Sequence, residues 1–285
     1  MKRIVWVSIL FVLSSQAIAD IELVMGRLTE VKITGEIRKG DFDDFKTKLK
    51  LAIDDSIKRD KQARKINKKI LYPYSLGSIQ LNSPGGNMLE AMKIGKLIRS
   101  LFLKTIVWSS WEGNLQASCS SACFFVFVSG VSRVPNIYHD KSFHLHDGID
   151  KSDLKKIGLH RPSFEKNYYK NNYDSYDQQY KNLLKVSRKY LFDMGVKQKV
   201  VDKVFSISSN DLEWLSLKDF DDHIGIYPME VHEWANSQCL GLPRDKQYSE
   251  ALKDYFFYSE SDTITRCIGR VLTKERYKRA LKFIQ

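Results

Sequence analysis

The stretch Ser78-Ile79-Gln80-Leu81-Asn82-Ser83-Pro84-Gly85-Gly86-Asn87-Met88 decides the architecture. Residues 78–82 read as a short strand. Ser83-Pro84-Gly85-Gly86 reads as a tight turn, because two glycines in a row permit backbone conformations closed to other residues. Met88, Leu89, Met92, Leu97 and Ile98 then line one side of a helix. A main-chain N–H in such a turn, at the start of a helix, can approach a ligand closely and is suited to holding an oxyanion. Dinucleotide-binding and P-loop chemistry are excluded, since the chain has neither G-x-G-x-x-G nor G-K-[ST].

Upstream, Val31 to Ile37 alternates apolar and polar residues, a first strand. Gly40 and Asp41 open an amphipathic stretch with Phe42, Phe45, Leu49 and Ile53 at helical spacing. Residues 55–69, rich in Lys, Arg and Asp, read as a solvated helix end and loop; aromatic interleaving, which a nucleic-acid surface needs, is absent. Downstream, Thr105 to Trp108 forms another strand. Cys119-Ser120-Ser121-Ala122-Cys123 runs into the apolar helix Phe124 to Val128, stopped by Gly130, and Ile157 to His160 is a strand ended by Arg161-Pro162. Residues 173–208 are helical in pattern, and 230–285 read as a smaller helical appendage. Strands alternating with helices predict an α/β protein with a mainly parallel sheet and right-handed crossovers.

Composition narrows the class further. In 285 residues, 43% hydrophobic and 28% charged content exclude a disordered chain, a collagen-like repeat and a polytopic membrane protein. The net charge is +12, or +10 without a leader carrying Lys2 and Arg3, a surplus that favours anionic partners without choosing among them. Residues 1–19 read as a secretory leader: a basic start, the apolar run Ile4 to Leu13, and Ala17-Ile18-Ala19 predicting cleavage before Asp20. The competing assignment is an uncleaved anchor. Export, most simply to a bacterial periplasm, makes four cysteines disulfide-competent. Cys239–Cys267 is the favoured bridge, and Cys119 and Cys123 are near enough to pair if the local turn allows. A zinc site is disfavoured, because no second C-x-x-C-type pair accompanies the first.

Ser121 stands where a polar loop meets an apolar helix, a position that exposes a side-chain oxygen beside free helix N–H groups. A helix cap by Ser120 or Ser121 is the alternative role. His160, at a strand end, is either a base or a satisfied core residue. A serine becomes a nucleophile only with a base in reach and an oxyanion hole beside it, and the three segments together supply those parts. Residues 134–156 separate the apolar helix from the strand that ends in His160. Within them, His139, Asp140, His144, His146 and Asp147 read as a polar surface hairpin, although His144 and His146 would share one side of a strand, as two metal ligands would. No metal and no cofactor is expected. The basic tail after Ile268, with Arg270, Lys274, Arg276, Lys278, Arg279 and Lys282 against Glu275, reads as a solvated helix face rather than a lipid-binding one.

The run L-N-S-P-G-G (81–86), the serine turn S-S-A-C (120–123) ahead of an apolar helix ending in Gly130, and H-R-P (160–162) resemble the Clp protease proteolytic subunit over residues 30–228. More closely, they resemble the exported, ATPase-independent Clp-like proteins, whose serine turn also carries flanking cysteines. The resemblance implies a ClpP/crotonase-like fold of repeated ββα units over residues 20–229. It assigns Ser121 as nucleophile, His160 as base, and Gly86 and Ala122 as oxyanion donors. Asp211, near Trp214-Leu215-Ser216, becomes the acid, one residue out of place, so a dyad is the other possibility. His146 is the alternative base, at the family's usual distance from the serine. The implied function is a periplasmic serine peptidase acting on peptides or unfolded segments, a homo-oligomer with no nucleic acid and no partner ATPase. The alternative is a silent binding or assembly module on the same fold.

Overall fold

In a computed structural model of the chain, the described residues are 20–25, 28–66, 76–107, 117–135, 156–164, 176–239 and 263–285. Residues 1–19 and most of 134–156, including His139, Asp140, His144, His146 and Asp147, lie outside them. The protein is α/β with a mixed sheet. Strands β1 (Asp20–Met25) and β2 (Thr29–Ile37) form an antiparallel pair. Helix α1 (Asp41–Ile66) leads to β3 (Leu76–Gly86), parallel to β2. Helix α2 (Met88–Ser100), β4 (Lys104–Val107), β5 (Cys119–Ser120), helix α3 (Ala122–Phe127) and β6 (Ser132–Val134) follow. Next come β7 (Ile157–Leu159), α4 (Tyr176–Asp193), α5 (Gln198–Ser206), β8 (Glu213–Trp214), α6 (Leu217–His223), α7 (Met229–Ser237) and α8 (Thr263–Ile284).

The sheet branches at β3. Residues 78–81 pair in parallel with β4, which continues to β6, whereas Ser83 pairs with Cys119 of β5. From β5 the ladder passes in parallel to β7 and then antiparallel to β8. The branch brings the ends of β3, β5 and β7 together, where the quoted glycine and serine segments lie. Three sequence readings change here. Ser83-Pro84-Gly85-Gly86 stays in the strand rather than leaving it as a free turn; the β2 pairing slips between Thr34 and Glu36 to follow it. The charged run after Asp55 is helical to Ile66, because its cations pair with acids one turn earlier: Lys58 with Asp54, Arg59 with Asp55, Arg64 with Asp60. The helical region 173–208 is two helices, parted at Gly195, whose φ of 71° a side chain would resist.

The main core forms between the sheet and α1, α2 and α3. Phe45, Leu49, Ala52 and Ile53 give α1 its buried stripe, and every residue of α3 is buried. A helix apolar all round belongs inside the molecule, which fixes its first turn rigidly. Its far end is closed by two arginines. Fully buried Arg133 donates to the carbonyls of Gly130, Ile224 and Met194, and Arg99 to those of Val128, Ser129 and Met194. The carbonyls of the turn after α3, at Val128, Ser129 and Gly130, thus receive charged donors. In the C-terminal region, Cys239 and Cys267 form the expected disulfide with Cα atoms 6.1 Å apart, tying the end of α7 to α8.

Candidate active site

Ser121 begins α3 with φ 56° and ψ −123°, a backbone state that L-residues seldom occupy. Neighbours hold it there. Its N–H donates to Gly158 O at 3.0 Å, and its carbonyl accepts from Phe124 N at 3.0 Å. The hydroxyl makes no capping bond to α3, which removes the helix-cap role as an account of this residue. Ser120, by contrast, is buried, its Oγ packed against the Gly158 backbone. Cys119 and Cys123, both fully buried, form a second disulfide with Cα atoms 5.2 Å apart, so the pairing that sequence left open is made. The bridge encloses the strained serine on both sides. Strain of this kind persists only where the surroundings over-determine it, and it collects at functional sites.

The glycine pair meets this turn from β3. A Cβ added to Gly85 would fall 2.6 Å from Ser121 Cβ, 2.7 Å from Ser120 O and 2.9 Å from Ala122 N. One added to Gly86 would instead strike Ile37 O at 2.2 Å. Both glycines have positive φ, 108° and 125°. The first lets the chain lie against the serine turn, and the second lets it lie against β2. Ser83 fixes the segment: its hydroxyl donates to Gly35 O and accepts from Gly85 N, while its N–H donates to Ser118 O. Asn87 then caps α2 through Glu90 N.

The parallel register of Ser120 with Gly158 carries the neighbouring chain forward to His160, two residues beyond; among the described residues no hydrogen bond joins Ser121 to His160. His160 is half-buried, with Nδ1 2.9 Å from Arg161 O. A carbonyl only accepts, so Nδ1 is the donor in this contact, and Nε2 is the ring nitrogen that remains for a base role. Asp211 lies on the exposed stretch before β8, its N–H bonded to Ser208 O. The β7–β8 pairing ends at Leu159–Glu213, and beyond it the Arg161 N–H donates to Ile207 O at 3.1 Å. The ring nitrogen that an orienting acid would hold is thus engaged by a main-chain carbonyl. His146 lies outside the described residues.

Among the described residues no group of three or more His, Cys, Asp or Glu side chains is placed to hold a metal. Sequence reasoning missed the direct contact of Gly85 with the serine and the carbonyl of Arg161 as partner of the imidazole. The adjacent glycines were the available signal for the first. The second is a main-chain group that no residue letter announces. What fold and site define is an α/β protein whose sheet branch presents a strained serine beside a glycine turn and a strand-end histidine. Comparison with known proteins finds no family model that matches the chain and no curated protein that matches it.

Proposed function

We propose that the protein is an exported serine hydrolase of ClpP/crotonase-like architecture, acting in the periplasm on peptides or unfolded segments. The strained Ser121, pressed by the Gly85 backbone and flanked by the strand that ends in His160, carries this reading. Ser121 Oγ attacks the scissile carbonyl while His160 Nε2 takes its proton and returns it to the leaving amine. The Arg161 carbonyl holds the imidazole at Nδ1, so the proposed centre works as a Ser121–His160 dyad rather than a triad with Asp211. The N–H groups of Ala122 and Gly86 receive the oxyanion; each such donor is worth about 10²–10³-fold in rate. The resemblance further suggests a homo-oligomer working without a partner ATPase or nucleic acid. Two disulfides suit an oxidising compartment.

The exposure of Asp211 favours one second reading, a binding or assembly module that keeps the architecture without turnover. Hydrolysis of a chromogenic peptide ester separates the two. Turnover by the wild type that is lost in Ser121→Ala supports the hydrolase, and a folded wild type with no turnover supports the module.

A further inference from the structure

Helix α8 carries seven Lys or Arg residues and one acid, Glu275. Ile268, Leu272 and Ala280 turn one side into the protein. On the opposite side, Arg270, Lys274, Lys278 and Lys282 recur every four residues, and all four are exposed. Glu275 lies 4.0 Å from Lys278 and 2.8 Å from Arg279, so its charge is shared. Among the described residues, Arg270, Lys274 and Lys282 have no acid within ion-pair distance. Helix α1 of the same chain is built otherwise: Lys48, Lys58, Arg59 and Arg64 each pair with an aspartate four residues earlier. Like charges at this spacing repel and weaken a helix. Among the described residues this ridge of three such pairs in series is offset only by Glu275 beside Lys278, the pattern expected where function overrides stability.

Beside the ridge, α7 and α8 enclose a hollow of about 330 Å³ lined by Arg99, Phe102, Glu230, Val231, Trp234 and Arg279. Trp234, 37% exposed, stands edge-on to Phe102 at 5.7 Å, and Arg279 lies over the Phe102 ring at 3.9 Å. The Cys239–Cys267 bridge holds the two helices together. A cationic convex ridge bordered by an open, aromatic-lined hollow fits a plane that is anionic at its surface and apolar just beneath, with an indole at the boundary. A nucleic-acid duplex offers the phosphates but keeps its bases stacked inside, with no apolar layer for Trp234. We propose that the α7–α8 face docks the protein on the anionic surface of a phospholipid bilayer, with headgroup phosphates along Arg270, Lys274, Lys278 and Lys282. Arg276 Nε bonds Phe102 O and Arg279 bonds Ser100 O, which fastens α8 at the C-terminal end of α2. The serine turn lies near the other end of that helix, about 20 Å away along its 13 residues. Docking therefore leaves the serine turn at the end of α2 remote from the membrane.

The test is co-sedimentation of the disulfide-bonded protein, with residues 1–19 as they stand in the cell, on vesicles of phosphatidylcholine alone or with about 30% phosphatidylglycerol. The expected result is strong preference for the anionic vesicles, lost when salt rises from about 0.05 M to about 0.5 M. Each cation replaced by Gln should weaken binding about fivefold, and replacing all four should weaken it roughly a hundredfold or more. Equal binding to both vesicles, no binding to anionic ones, or tighter binding to RNA at the same salt would overturn the proposal. The salt series on the wild type decides the matter even if the fourfold variant does not fold.

Discussion

Gly85 and Ser121 lie in backbone contact: a single methyl group on the glycine would sit 2.6 Å from the serine Cβ. Gly85→Ala therefore has to move either β3 or the serine turn, and its φ of 108° adds its own strain. The expected outcome is a loss of about 2 kcal/mol or more in a urea melt, together with loss of serine reactivity. Ala tolerated at position 85 without either effect would show that the two segments are not packed as described.

The strain at Ser121 has a testable sign. Glycine occupies φ 56°, ψ −123° freely, so Ser121→Gly should raise stability by about 1 kcal/mol, within the usual cost of such a conformation, while abolishing turnover. Thermal melting and ester hydrolysis measure the two effects. A Ser121→Gly protein less stable than the wild type would contradict the strained backbone.

The two disulfides should separate stability from reactivity. Chain-entropy arguments give about 2 kcal/mol for the five-residue loop closed by Cys119–Cys123 and about 3.5 kcal/mol for the longer one closed by Cys239–Cys267, whose cysteines are 28 apart. Double alanine variants should therefore melt in that order. The order for activity should be reversed, because only the shorter loop contains Ser121. Unchanged kcat in Cys119→Ala/Cys123→Ala would show that the bridge does not position the serine.

Glu90 ties two helices together and supplies an acid dependence. Burial pushes its carboxyl up, but the Lys93 ammonium and the N–H groups of Phe42 and Gly40 outweigh it, leaving the group below its ordinary value near 4.5. A depressed carboxylate stabilises the fold fully above its unfolded value, and that contribution is lost as pH falls through the lower, folded one. Unfolding free energy should therefore be flat in Glu90 near neutrality and fall below about pH 4.5. Glu90→Gln should cost about 1–3 kcal/mol at neutral pH and flatten the acid slope, read from denaturant melts at several pH values.

Much of the frame was legible in the sequence, and the misses have physical causes. The alternation in Val31–Ile37, the apolar spacing after Asn87 and the all-apolar Phe124–Val128 announce β2, α2 and α3, since each buries a face set by its own period. Strands β6 and β8, three and two residues long, are held by their neighbours and carry too few residues for a period to show. The sequence reading of 55–69 as a helix end and loop does not locate the end of α1 at Ile66, because support there comes from ion pairs one turn apart. At the site, Ser121 and His160 stood out as residue types at element ends. The Gly85 contact depends on where β3 branches, and the imidazole's partner is a main-chain oxygen of Arg161. Both are products of tertiary register.

The most direct test is to treat the native, disulfide-bonded protein with a fluorophosphonate and map the adduct by mass spectrometry. The reading of Ser121 as nucleophile and His160 as its base predicts one modified residue, Ser121, with modification slowed at least a hundredfold in His160→Ala, the scale of general-base catalysis (about 10²–10⁴). An adduct on another residue, or none on a protein that melts cooperatively with both disulfides intact, would contradict it.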